Sequence, residues 1–176
     1  AQLMRIKEES ARYNIGPLER NINVPLFQLK FVGPPYRARS QYKLAGRSES
    51  EGVPVWRIEF TEISRPTIIR DRDERSVPIS GYYLVDQGTG AIVETCLKIN
   101  ERMFQAEIVV KYRLDQGLGM WVPTRMTESY KTSGTPVRGS VTSLEVGSNK
   151  LEGEAKYAKF RRFQVKTEET VTIPKK

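Results

Sequence analysis

The spacing of apolar residues changes period once along the chain. In residues 1–13, Met4, Ile6 and Tyr13 lie among Glu, Lys, Arg and Ala, and the run stops at Asn14-Ile15-Gly16. Gly16 suits a helix C′ position and Pro17 the first turn of a following element. Beyond it Leu18, Ile22, Leu26 and Leu29 recur at helical spacing, with Phe27 and Phe31 widening the stripe. Pro25 interrupts any long helix, so the pattern predicts a short turn over 17–20 and a second helix from Val24 to Phe31, with Asn23 as N-cap. Gly33-Pro34-Pro35 ends the helical segment, 1–35.

From Tyr36 the period becomes two. Trp56, Ile58 and Phe60 alternate with Arg57, Glu59 and Thr61, and this strand pairs with Arg39–Ser48 across Glu49-Ser-Glu-Gly52. A second hairpin joins 81–85 to 91–99 through Asp86-Gln-Gly-Thr-Gly90. A third joins 106–114 to 120–131 through Asp115-Gln-Gly-Leu-Gly119. Short strands at 67–69 and 76–79 flank Arg70–Arg75, a Ser/Thr/Gly-rich loop covers 133–148, and a last strand runs over 151–166. The expected architecture is a single α+β domain over 1–176: a curved antiparallel half-barrel of about eight strands (36–166), N-terminal helices on its concave face, and a tail (167–176).

Composition narrows the chemistry. The 176 residues include no histidine and a single cysteine, Cys96. That excludes His triads, His-ligated metals, an internal disulfide and Cys-rich zinc modules, so neither cofactor nor metal is expected. No apolar run reaches the ~18 residues of a spanning helix. Net charge is +8, unevenly spread. Residues 1–48 hold nine Lys/Arg against three Glu, and 156–176 hold seven against two, whereas 49–155 hold thirteen against sixteen acids. Such basic ends suit an acidic partner protein, anionic lipid or nucleic acid; the plain alternative is solubility.

The hairpin Tyr83-Leu-Val-Asp-Gln-Gly-Thr-Gly-Ala-Ile-Val93 resembles the strand–Asp-x-x-Thr-Gly–strand repeat of the LolA/LppX-like lipoprotein-carrier superfamily, and Met120-Trp-Val-Pro-Thr-Arg-Met126 resembles a strand opening of the same superfamily. The resemblance covers about three-quarters of the chain and is closest to secreted bacterial proteins with these hairpins, for which it implies no activity. It implies a half-open barrel over a helical plug, a periplasmic or extracellular location, and a concave face that holds acyl chains. The chain starts at Ala1 without an initiator Met, as a processed or trimmed chain does.

Candidate sites follow. The apolar positions Trp56, Ile58, Phe60, Leu84, Ile108, Val110 and Tyr112 would line the concave face, holding a lipid or packing on the helices. Tyr82 and Tyr83 face opposite ways, so the sheet is expected to be covered on both sides. The basic and aromatic stretch Lys156, Lys159, Phe160, Arg161, Arg162 and Lys166 would meet a partner. Interleaved rings and cations also suit single-stranded nucleic acid, but the acidic middle and the missing RNA-binding signatures argue against it. Cys96 lacks an activating base and reads as an inert thiol, structural or half-buried. Arg70-Asp71-Arg72-Asp73-Glu74-Arg75 reads as a solvated hairpin tip rather than an acid–base pair, and both Gly-x-Gly runs enter strands, so they are turns and not phosphate loops. No catalytic residue emerges. The expectation is a non-catalytic extracytoplasmic interaction subunit with a protein partner or a second copy of itself; the alternatives are a carrier of a hydrophobic ligand and a single-stranded nucleic-acid module.

Overall fold

The computed structural model describes residues 22–34, 36–71, 73–102, 104–132 and 149–163. Strands β1 (Ser40–Ser50), β2 (Val53–Glu62), β5 (Ile79–Asp86), β6 (Ile92–Asn100), β7 (Phe104–Asp115), β8 (Met120–Thr132) and β9 (Asn149–Lys156) form one antiparallel sheet in the order β1-β2-β5-β6-β7-β8-β9. β3 (Ile69–Arg70) and β4 (Ser76–Val77) form a separate two-stranded ribbon. Paired strands are neighbours in the chain order; local turns close β1–β2, β5–β6 and β7–β8, whereas the ribbon lies between β2 and β5.

Two of those turns share one design. In Asp86–Gly90 the Asp86 carboxylate accepts the amides of Gly88 and Thr89, Gly90 N–H returns to the Asp86 carbonyl, and Gly90 sits at φ 72°. In Asp115–Gly119 the carboxylate accepts Leu118 N–H, Gly119 N–H returns to the Asp115 carbonyl, and Gly119 sits at φ 64°. The left-handed position calls for glycine in both.

Alternation then assigns the faces. One row of the inner face runs Phe60, Gly81, Leu97, Ile108, Glu128, and the next runs Ile58, Tyr83, Thr95, Val110, Met126. The outer face carries Arg57, Leu84, Glu94, Lys111, Arg125, Lys156 in one row and Glu59, Tyr82, Cys96, Val109, Thr127, Glu154 in another. The core lies on the inner face, where Phe60, Tyr83, Leu97, Ile108 and Val110 are buried with Ile22 and Phe31 from the N-terminal segment and Ile69 and Val77 from the ribbon.

Three expectations are corrected. The Val24–Phe31 helix is instead a five-residue 3-10 turn, Phe27–Phe31, followed by a shorter one at Arg37–Arg39. Eight residues containing Pro25 are too few to nucleate an α-helix in isolation. The sheet is open and uncurled, β1 and β9 forming its two edges, so there is no half-barrel. Alternation specifies which side of a strand is buried but says nothing of curvature. The last strand ends at Lys156, not 166: residues 157–163 follow it without regular structure, and Lys159 takes φ 59°. The expected helix 1–13, the turn 17–20, the loop 133–148 and the tail 167–176 lie outside the described residues. Among the described residues no helix is long and apolar enough to cross a membrane.

A buried carboxylate marks where β1, β2 and the ribbon meet. The Glu62 side chain has no exposure, and its Oε1 accepts Ile68 N–H at 2.8 Å. Its Oε2 is unpartnered, as is the hydroxyl of Ser40, its cross-strand neighbour. Burial raises the Glu62 pKa against the opposing pull of that amide and of Arg39. Because the folded pKa lies above the ordinary carboxylate value, the proton's contribution is complete in acid and lost as pH rises. Glu62→Gln keeps the acceptor for Ile68 and removes the buried charge. Denaturant melts should therefore show the variant more stable than wild type at pH 7, with the gap closing below about pH 4. A variant less stable at pH 7 would show that the charge is favourably held.

Candidate functional site

The inner face is occupied by the chain itself. Residues 22–33 cross it as a strap, and three tyrosines from three strands hold the strap by its backbone. Tyr112 of β7 donates to the Pro25 carbonyl at 2.5 Å, Tyr83 of β5 to the Gln28 carbonyl at 2.9 Å, and Tyr42 of β1 to the Phe31 carbonyl at 2.5 Å. Their acceptors are spaced by three, the period of a 3-10 turn, so one side of the strap meets all three hydroxyls. The same period brings Ile22, Gln28 and Phe31 down onto the sheet, where each is buried, and leaves Val24 and Leu26 exposed. Gln28 has no exposed surface, and its amide donates to the Ile108 carbonyl at 3.3 Å. Phe31 stacks on Phe60 at 5.7 Å, and Phe60 lies 5.0 Å from the Tyr83 ring.

Burial pushes the Tyr83 hydroxyl well above its ordinary value and Tyr112 up to about 12. The neutral phenols are the donors, so the fastening is complete below the unfolded-state value near 10. Stability should fall as pH climbs from about 10 toward 12, a loss readable by alkaline titration of the thermal midpoint. Tyr83→Phe, which leaves the Gln28 carbonyl buried without its donor, should cost about 1–2 kcal/mol in a denaturant melt; an unchanged midpoint would mean the strap is held by packing alone.

Of the seven apolar positions expected to line one face, Phe60, Ile108, Val110 and Tyr112 are buried under the strap, and Trp56 and Ile58 are half-buried on the same side. Leu84 is not with them. It pairs with Arg57 and Glu94 on the outer face, and Tyr83 takes the inner position. Of the packing partners expected from the helical stripe, Ile22 lies in the core and Phe27 and Leu29 pack against it, whereas Leu26 is 51% exposed; Leu18 lies outside the described residues.

No protein-family model matches this chain, and neither a curated protein nor a solved structure does. The residues themselves therefore carry the reading.

The outer face is covered by its own long side chains. The Arg57 guanidinium lies 3.8 Å from the Tyr82 ring centre, and Tyr82 donates to Glu94 at 2.9 Å. Lys98–Glu107 and Arg125–Glu154 bridge neighbouring strands at 2.8 Å, and Glu51 in the β1–β2 turn reaches Lys111 of β7 at 2.5 Å. Cys96 is buried beside them, and desolvation pushes its thiol up to about 12. On the ribbon, Asp71 accepts the amides of Asp73 and Arg75 and the Arg75 guanidinium, while Arg70 pairs with Glu74. These charges close a hairpin tip. Among the described residues no group of three or more Cys, Asp or Glu is placed to hold a metal.

Two openings remain of interest. A cleft of about 320 Å³ separates the strap from the ribbon, lined by Ile22, Val24, Leu26, Phe27, Lys30, Ile68, Ile69 and Arg70. The second is not a cavity but an exposed stretch after β9. Lys156, Lys159, Arg161 and Arg162 are exposed there, Phe160 is half-buried, and Phe163 is 89% exposed; Lys166 lies outside the described residues. The last strand, expected to run through Phe160 and Arg161 to 166, ends before them at Lys156.

The tyrosine fastening was missed by sequence reasoning, although a signal existed. Tyr83 and Tyr112 both stand three residues before the aspartate of an Asp-Gln-Gly-x-Gly turn. The shared register sends both hydroxyls to the same face.

Proposed function

We propose that the protein is a non-catalytic interaction subunit acting outside the cytoplasm, and that it engages a protein partner by strand addition at an open edge of its sheet. The observation that supports this is the strap. With the apolar face closed by three backbone-directed tyrosines and a buried Phe31, the face that a carrier would use is already filled. What the described residues leave available is extended backbone along β1 and β9. An edge strand of eight residues or more offers a row of donors and acceptors, and pairing there supplies affinity while alternate side chains supply selectivity. β9 is marked by exposed charge, with Lys150–Glu152 and Glu154–Lys156 pairs along the strand. Such charge discourages indiscriminate pairing and favours a partner strand of matching pattern.

Native mass spectrometry of the protein purified from its own source tests the reading. A stable oligomer or heteromer free of lipid is the expected result. A monomer carrying a lipid-sized mass would overturn it in favour of a carrier, and a bare monomer would leave the edges without a partner and overturn it as well.

A further inference from the structure

The β7–β8 hairpin tip carries apolar side chains that its turn does not require. Both Asp-Gln-Gly-x-Gly turns are closed by an amide-accepting Asp carboxylate and by a Gly N–H returning to the Asp carbonyl, yet the positions flanking them differ in character. Around the first stand Val85 and Ile92, which pack against the core. At the equivalent positions around the second stand Leu114 and Trp121, paired across the hairpin and 37% and 38% exposed, with Met120 beside them at 55%. The turn chemistry is satisfied either way, so the turn itself does not call for the larger exposed residues.

The register brings a second feature to the same end of the sheet. Lys156 pairs with Arg125, and Tyr157 N–H donates to the Thr124 carbonyl at 2.9 Å, so the chain leaves β9 along β8 in the direction of Trp121. The departing stretch, Lys-Tyr-Ala-Lys-Phe-Arg-Arg-Phe over 156–163, holds four cations, three aromatics and no acid. Thus an exposed Leu/Met/Trp tip lies at the end of the sheet toward which the basic segment leaves β9, with Lys159, Arg161, Arg162 and Phe163 exposed and Tyr157 packed on the core.

We propose that this end is a peripheral docking surface for an anionic lipid bilayer, with Trp121, Met120 and Leu114 entering the interface and Lys159, Arg161 and Arg162 meeting the headgroups. Indole sits favourably at the boundary between acyl chains and headgroups, and basic residues beside it add electrostatic attraction to anionic lipid. Charge complementarity selects the anionic surface. The aliphatic side chains at the tip select lipid over single-stranded nucleic acid, because Leu and Met offer no ring for a base to stack on. The attachment is independent of edge pairing and of any ligand within the fold.

Vesicle co-sedimentation of the full chain tests it, using phosphatidylglycerol and phosphatidylcholine in equal parts against phosphatidylcholine alone. Wild type is expected to bind the anionic vesicles and to lose most binding at high salt. In a Trp56→Phe background, Trp121 emission should shift to the blue on binding. The Lys159→Glu/Arg161→Glu/Arg162→Glu variant should bind about a hundredfold more weakly, and Met120→Ser/Trp121→Ser should also lose binding, both with unchanged thermal midpoints. If a variant fails to fold, the salt dependence and the emission shift decide the matter. Equal binding to both vesicle types, no binding, binding without an emission shift, or a preference for a single-stranded oligonucleotide over vesicles would each overturn the proposal.

Discussion

Gly81→Ala is expected to abolish the cooperative fold. A Cβ at this position would lie 1.9 Å from the backbone carbonyl oxygen of Cys96 and 2.8 Å from the Phe60 ring. The ring can turn, but the carbonyl belongs to the β5–β6 ladder and cannot move without breaking it. Gly81 also lies in the central row between Phe60 and Leu97, both buried. The strain therefore falls on the middle of the core rather than at an edge. Ordinary overpacking costs ~1–3 kcal/mol, and a backbone collision of this depth should exceed it, consuming much of the ~5–15 kcal/mol that holds a domain together. Gly90→Ala is the matched control. Nothing lies within 4 Å of its Cβ position, so only the left-handed backbone at φ 72° opposes it, at a cost of about 1 kcal/mol. A chemical melt of the two variants should separate them clearly; similar midpoints would mean that the β5–β6 ladder yields at Gly81.

Phe31→Ala should be the most damaging truncation in the strap. Phe31 has no exposed surface, stacks on Phe60 and meets Phe27 edge-on at 5.8 Å. Removing a buried phenyl costs ~3–5 kcal/mol through lost transfer energy and the cavity left behind. Its carbonyl still receives Tyr42, so the variant separates side-chain packing from backbone fastening. Denaturant unfolding should show a loss at least twice that of Tyr83→Phe, while Leu26→Ala, at an exposed position on the same strap, should shift the midpoint little. Equal losses at Phe31 and Leu26 would contradict the assignment of the strap's buried side.

The sheet was largely legible in the sequence because its signals are local. Asp-Gln-Gly-x-Gly places a left-handed glycine and an amide-accepting carboxylate at fixed offsets, and period-two alternation on either side leaves little freedom of pairing. The strap was not legible, because its period is three. Ile22, Pro25, Gln28 and Phe31 do not form an apolar stripe, and a proline and a glutamine at sheet-facing positions make sense only once the tyrosine hydroxyls and the Ile108 carbonyl are in place. Leu84 was assigned to the wrong face for a different reason. Tyr82-Tyr83-Leu84-Val85 is apolar at every position, so alternation carries no parity there and only the register settles it. The openness of the sheet was likewise beyond reach, since bulges such as the one between Leu44 and Gly46 leave no fixed mark on the residue pattern.

Closure of the inner face by the strap is tested most directly by titrating the wild-type protein with a fluorescent long-chain fatty acid near neutral pH. No saturable binding by the folded protein is expected, because Phe31, Gln28 and Ile22 already occupy the apolar face. Saturable one-to-one binding, quenched in step with loss of the Tyr83 fastening to Gln28, would show that the strap is a displaceable lid and that the face serves a ligand after all.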